Sequence, residues 1–189
     1  MAVFASGQGS NALNIIAHFK AHPQIEVAFV LSNKADAPVL RAAAAEGIPG
    51  LHYDNQQVSD GDFLTQVCRH KAVDFIVLAG YLRLVPAGLI RNYAERIFNI
   101  HPALLPKFGG AGMYGNFVHA AVRQANETTS GITVHYVDEV FDAGRIIAQM
   151  RCQVLATDSP DDIRTKVQAL EHAYYPVIIE KTILNHRYV

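Results

Sequence analysis

Short, continuously apolar runs alternate along the chain with longer segments in which apolar residues recur at helical spacing. This alternation predicts an α/β fold: a doubly wound, mostly parallel sheet with helices on both faces. Residues 2–5 (AVFA) predict a first strand, followed by the turn SGQGSN and a helix over 11–21. Further strands are predicted at 26–31 (EVAFVL), 51–53, 74–79 (DFIVLA) and 96–100 (RIFNI), and further helices at 38–46 and 62–70. The run at 74–79 is the strongest, apolar throughout as a strand buried on both faces requires. Residues 131–137 (GITVHYV) and 146–155 predict a hairpin at the far side of the sheet, and 160–184 a closing helix. Between the strand at 96–100 and this hairpin, residues 102–116 contain prolines and the glycine cluster FGGAGMYG, which predicts an irregular loop. A loop that long in a compact domain carries function or is disordered.

Composition narrows the class. At 189 residues, with no internal repeat or break in composition, residues 1–189 are expected to form a single domain. Hydrophobic residues make up 50% and charged ones 17%, enough apolar surface for a sizeable core. The net charge of −1 leaves no basic field for nucleic acid or an anionic membrane, so neither is expected as a partner. Any anion must therefore be caught locally. Two cysteines, Cys68 and Cys152, fit a reducing compartment, and no apolar run approaches the ~18 residues that cross a bilayer. The N-terminus runs from a strand straight into a glycine turn without signal-peptide features, so the expected location is cytoplasmic.

Three segments carry candidate chemistry. The first is the turn Gly7-Gln8-Gly9-Ser10-Asn11-Ala12, between a strand and a helix, where glycine admits an anion close to unpaired helix N–H groups. A dinucleotide site also needs an acidic residue at the end of the second strand, and that strand ends in Leu31-Ser32-Asn33-Lys34. NAD is therefore disfavoured, and the missing G-K-[ST] ending removes a Walker-type nucleotide site. A monophosphate held by Gly9, Ser10 and Asn11 remains; the plainer alternative is that Ser10 or Asn11 only caps the helix.

The second segment is Phe98-Asn99-Ile100-His101-Pro102. Period-two geometry places Asn99 and His101 on one face at the carboxyl end of a buried strand, where ligands of such sheets gather. Histidine exchanges a proton near neutral pH, and asparagine donates an uncharged hydrogen bond to an oxyanion. The third is the acidic turn Asp138-Glu139-Val140-Phe141-Asp142-Ala143-Gly144. A carboxylate from it beside His101 is expected to raise the histidine pKa and keep it protonated. Asp138, Glu139 and Asp142 stay equally open from sequence alone. Among other residues, His18 and His22 have the spacing of a helical metal pair, but the helix dipole explains a histidine at that helix end. His135 is expected to support the crevice, Cys68 to fill a helix interface, and Tyr174 and Tyr175 to fill the core.

With these pieces together, the chain resembles the folate-dependent formyltransferases of purine biosynthesis, the phosphoribosylglycinamide formyltransferases. The resemblance runs through SGQGSN, SNKADA, DFIVLAGYLRLV, NIHPALLPKFGG, GITVHYVDEVFDAG and EHAYYP, nearly the whole chain. It implies a Rossmann-like formyltransferase fold and transfer of a formyl group from 10-formyltetrahydrofolate, the co-substrate, to the amine of glycinamide ribonucleotide. The transfer passes by direct attack through a tetrahedral intermediate, with no metal. By the same resemblance Asn99, His101 and Asp142 are catalytic, and Gly9, Ser10, Asn11, Gln168 and Glu171 hold the ribonucleotide. Leu82, Arg83, Leu84, Val85, Asn99, Asp138, Glu139, Val140, Phe141 and Asp142 line the folate pocket. The expected assembly is a monomer or homodimer.

Two departures stand out: FGGAGMYGNFVHAA is longer than a common family form, and Ser59-Asp60-Gly61-Asp62 stands where some members carry an arginine against the folate tail. Related formyltransferases that act on methionyl-tRNA, or that hydrolyse formyl-folate, share the Asn-x-His and Asp logic but carry additional domains. A non-catalytic sugar-phosphate-binding regulator would use the glycine turn and leave Asn99, His101 and Asp142 without a role.

Overall fold

A computed structural model describes residues 1–186. The sheet grows outward from β1 (Ala2–Phe4), which pairs in parallel with β2 (Phe29–Ser32) on one side and β4 (Ile76–Leu78) on the other. β3 (Gly50–His52) extends the first side, and β5 (Ile97–His101) the second, both parallel. β6 (Thr129–Tyr136) and β7 (Ile146–Gln153) add antiparallel, giving the order β3-β2-β1-β4-β5-β6-β7. The helices are α1 (Ser10–Phe19), α2 (Pro38–Ala45), α3 (Gly61–His70), α4 (Ala87–Asn92), α5 (Asn116–Gln124) and α6 (Pro160–His186).

Strand alternation sorts the core into two layers. Val3, Val30, Val77 and Phe98 face one cluster, which α1, α2, α5 and α6 close with Ile15, Val39, Val122 and Ile179. Phe4, Leu31, Ile76 and Ile97 face the other, closed by Leu64 and Cys68 of α3 and Leu89 of α4. The mostly parallel sheet with helices on both faces is thus the predicted architecture. The chain winds from β1 outward to β3, then returns to place β4 on the other flank of β1. That reversal opens a crevice between the carboxyl ends of β1 and β4, the position where such sheets bind ligands. No described helix is long and apolar enough to cross a membrane.

The structure corrects several local expectations. β2 begins at Phe29 rather than residue 26, because the partner strand starts at Ala2, which pairs with Phe29. α4 and α5 were not expected. α4 follows Pro86 and is held by tertiary contact: a Cβ on Gly61 would meet the Gly88 Cα at 2.8 Å. α5 follows the glycine run directly, with Gly115 at φ +53 before its first residue. Tyr175 is fully buried and donates its hydroxyl to the Leu78 carbonyl at 2.8 Å, whereas Tyr174 is 41% exposed and fills no core. His18 and His22 both face Glu180 on α6, at 2.6 and 3.5 Å from its carboxylate. Cys68 is buried, and burial pushes its thiol up to about 12.

Candidate active site

A cavity of about 420 Å³ opens at the crevice, lined among others by Asn11, Leu82, Asn99, His101, Asp142 and Glu171. β5 delivers Asn99 and His101 to it on one face, as the alternation predicts. The antiparallel neighbour sets His135 beside them, its Cα the direct cross-strand partner of Asn99 and its side chain at a small adjoining recess. A register shift between Val134 and His135 marks an irregularity in the β6–β7 ladder beside the site.

Asp142 is the hub of the cluster. Its Oδ2 accepts the Gly110 N–H at 3.0 Å and lies 3.3 Å from His101 Nδ1. Its Oδ1 lies 3.4 Å from Asn99 Nδ2 and 3.5 Å from His135 Nε2. Among the three acids left open by sequence, then, Asp142 meets the histidine; Asp138 instead accepts the Val140 N–H at 2.8 Å and closes its own turn. His135 Nδ1 lies 2.8 Å from the Tyr136 carbonyl and must carry a proton to make that bond. In the neutral ring, Nε2 is then the acceptor of the Asn99 amide at 3.1 Å. His101 Nε2 similarly donates to the Phe108 carbonyl at 2.7 Å. Phe108 and Asp142, the two residues that face the His101 ring, both have left-handed backbone, with φ +57 and +56. Such conformations in non-glycine residues collect at functional sites.

The electrostatics differ from expectation. Burial pushes the His101 pKa below its ordinary 6.5, while the Asp142 carboxylate and the Phe108 carbonyl pull it upward without prevailing. The carboxylate raises the ring's pKa as expected, but it does not keep the ring protonated, because a ring only 3% exposed loses more hydration than one carboxylate restores. Asp142 is also desolvated, but the hydrogen bonds and charge of its histidine neighbours and the Gly110 N–H hold its pKa below the usual carboxylate range. The resting pair at neutral pH is a neutral imidazole beside a carboxylate. A proton arriving at Nδ1 meets that carboxylate at once.

The glycine turn lies at the rim. Gly9 occupies the N-cap of α1 with φ +79, and no side chain caps the helix, which removes the plainer capping alternative for Ser10 and Asn11. A Cβ on Gly9 would sit 2.1 Å from Val39 Cγ2, so only glycine fits there. Across from it, α6 presents Gln168, whose amide reaches Ser10 Oγ at 3.4 Å, and Glu171, which accepts Asn11 Nδ2 at 2.9 Å. Burial raises the Glu171 pKa against that bond, and Asn11 Oδ1 is left buried without a partner. The five residues thus come together, although only Asn11, Gln168 and Glu171 line the cavity itself.

Leu82 and Phe141 line both the cavity and a neighbouring cleft of about 560 Å³ that also holds Arg83, Leu84, Val85 and Glu139. Asp138 and Val140 border a smaller recess beneath it. Leu82, Leu84, Val140 and Phe141 are between 42% and 64% exposed, an apolar strip beside the polar cluster. Sequence reasoning missed the Phe108 carbonyl, the Gly110 N–H, and the pair His119 and Arg164 on the helical wall. The HA and RT steps of α5 and α6 carry no local motif; only packing of the two helices brings them to the cavity.

Comparison with known proteins points to one family. Residues 1–179 match the family described as formyl transferase. The chain is 40% identical over 185 residues to the chloroplastic phosphoribosylglycinamide formyltransferase of Arabidopsis thaliana, covering 95% of this chain and 63% of that protein. It spans 59% of the corresponding Vigna unguiculata protein, so it covers about three fifths of these plant relatives. It is 38% identical to the phosphoribosylglycinamide formyltransferase of Bacillus subtilis, covering 98% of this chain and 96% of that one. The crystal structure of the Bacillus halodurans phosphoribosylglycinamide formyltransferase superposes with a TM-score of 0.85 at 38% identity, over 95% of this chain and 93% of that chain. With the fold, the crevice and the match over residues 1–179 in agreement, the chain belongs to the formyl transferase family.

Proposed function

We propose that this chain transfers the formyl group of 10-formyltetrahydrofolate to the primary amine of glycinamide ribonucleotide, a step of purine biosynthesis, in the cytoplasm and as a monomer or homodimer. The observation that carries the reading is the meeting of Asn99, His101 and Asp142 at one cavity, within 3.4 Å of one another through the Asp142 carboxylate. Gly9, Ser10, Asn11, Gln168 and Glu171 would hold the ribonucleotide, its phosphate against the open N-terminus of α1. The apolar strip of Leu82, Leu84, Val140 and Phe141, with Arg83, Val85, Asp138 and Glu139 around it, fits a planar heteroaromatic ring entering from the neighbouring cleft.

The formyl-folate co-substrate supplies an already activated acyl carbon, so the chemistry calls on no metal. When the amine attacks that carbon, the carbonyl oxygen becomes negative, and Asn99 Nδ2 would turn a hydrogen bond to it. The amide's present bonds, at 3.1 and 3.4 Å, are long enough to be exchanged at little cost. Neutral His101 accepts the proton shed by the amine, directly or through one water, and Asp142 stabilises the resulting imidazolium at 3.3 Å. The proton then passes to the departing folate nitrogen.

Mixing the protein with glycinamide ribonucleotide and 10-formyltetrahydrofolate should release deformylated folate at a rate that depends on both. Release without the ribonucleotide would identify a hydrolase, and no release at all would refute the reading.

A further inference from the structure

The helical wall of the cavity holds a polar group that the proposed chemistry does not use. His119, on α5, is 3% exposed and lines the cavity with Arg164, Val167 and Gln168 of α6. Its Nδ1 is sealed from solvent without a partner, and among the described residues Nε2 makes no hydrogen bond either, which leaves Nε2 as the ring nitrogen open to the cavity. Buried polar side chains in native proteins nearly always have a partner, and an orphan of this kind points to a group supplied from outside the chain. We propose that His119 is a substrate-contacting residue that hydrogen-bonds a neutral hydroxyl or amide of the ribonucleotide, between its phosphate and its reacting amine. The inference rests on the formyl-transfer reading above.

Position and charge select this ligand. The groups that act on the ring are Arg164 and Asp161 of α6 and His101 of β5, which places His119 on the wall that α6 lines with Gln168 and Glu171, and His119 is absent from the lining of the neighbouring Leu82–Phe141 cleft. Burial, then Arg164 and His101, drive its pKa down to about 4, so the ring is neutral at physiological pH. A neutral imidazole offers one donor and one acceptor, which matches a hydroxyl or an amide and offers a phosphate no charge. Arg164, whose Nε lies 3.2 Å from Asp161, sits in an ion pair in the first turns of α6, and its charge disfavours a proton on the histidine more than Asp161 favours one.

The test compares His119→Phe, which fills the same space without nitrogen, with His119→Gln, which keeps a donor and an acceptor near the Nε2 position. Calorimetric titration of glycinamide ribonucleotide into the folate-free protein should show His119→Phe binding about tenfold more weakly, the equivalent of one hydrogen bond, with His119→Gln recovering most of the loss. In steady state the KM for the ribonucleotide should rise by a similar factor, and the KM for formyl-folate should stay within twofold. Thermal melting should show His119→Phe at least as stable as the parent at neutral pH, because an unpartnered nitrogen has been removed; a merely structural histidine would instead lower the melting temperature. Unchanged ribonucleotide affinity in His119→Phe, or an equal rise in both KM values, overturns the inference. A parent protein without transfer activity refutes the formyl-transfer reading itself, so the two failures are distinct.

Discussion

Replacing Asp142 by Asn isolates the charge at the centre of the site. The backbone there has φ +56, a conformation asparagine adopts as readily as aspartate, so the variant should fold with its turn intact. The Gly110 N–H keeps an amide oxygen to bond, and the change falls on the two histidines. A full carboxylate–imidazolium attraction at 3.3 Å is worth about 5 kcal/mol at an effective dielectric of about 20. Burying both groups offsets part of it, and the share that reaches the transition state is that of a general acid–base, so kcat should fall about 10²–10³-fold. Stopped-flow or steady-state detection of deformylated folate measures the loss, and calorimetry with the ribonucleotide alone should show affinity within about threefold of the parent. Turnover retained within threefold, with the fold confirmed by melting, would refute the role given to the carboxylate.

The remaining outcomes concern pH, the turn and the cleft. Burial lowers the His101 pKa, and the neutral ring is the proton acceptor, so kcat/KM should decline as pH falls below 6.5 and stay flat above it to the limit set by the amine. His119 stays neutral in the folded state down to about pH 4, whereas the unfolded chain takes the proton below 6.5. Stability should therefore drop between pH 6.5 and 4 by about 3 kcal/mol from this residue, and urea unfolding of His119→Phe should show a shallower decline. Gly9→Ala forces a side chain into left-handed backbone 2.1 Å from Val39 Cγ2, and should cost about 2–4 kcal/mol in unfolding and raise the ribonucleotide KM more than the formyl-folate KM. Phe141→Ala should do the reverse, raising the formyl-folate KM about three- to tenfold by loss of apolar contact at the cleft.

Strands and long helices were readable from the chain because their signals are local. DFIVLA is apolar on both sides of a central strand, and Ile76, Val77 and Leu78 are indeed nearly inaccessible. The Asn-x-His pair was readable because a strand's period of two fixes a shared face. What sequence could not choose was which acid joins it, since Asp138, Glu139 and Asp142 differ only in how the turn folds back. The backbone partners of the site are invisible to side-chain reading: the Phe108 carbonyl and the Gly110 N–H exist as functional groups only once the loop has its conformation. The net direction of the His101 pKa depended on burial, a property of the folded whole, which outweighs the rise that the nearby charge alone predicts. His119 was passed over for the same reason, because only the packing of α5 on α6 gives it a cavity to face.

The most direct measurement is a double-mutant cycle on kcat for formyl transfer, using His101→Ala, Asp142→Asn and the pair together. If imidazole and carboxylate handle one proton as a unit, the double variant should be no slower than the worse single variant by more than about threefold, since the second change removes what the first has already disabled. Losses that multiply across the pair would mean two independent groups, and would contradict the shared proton at the heart of this site.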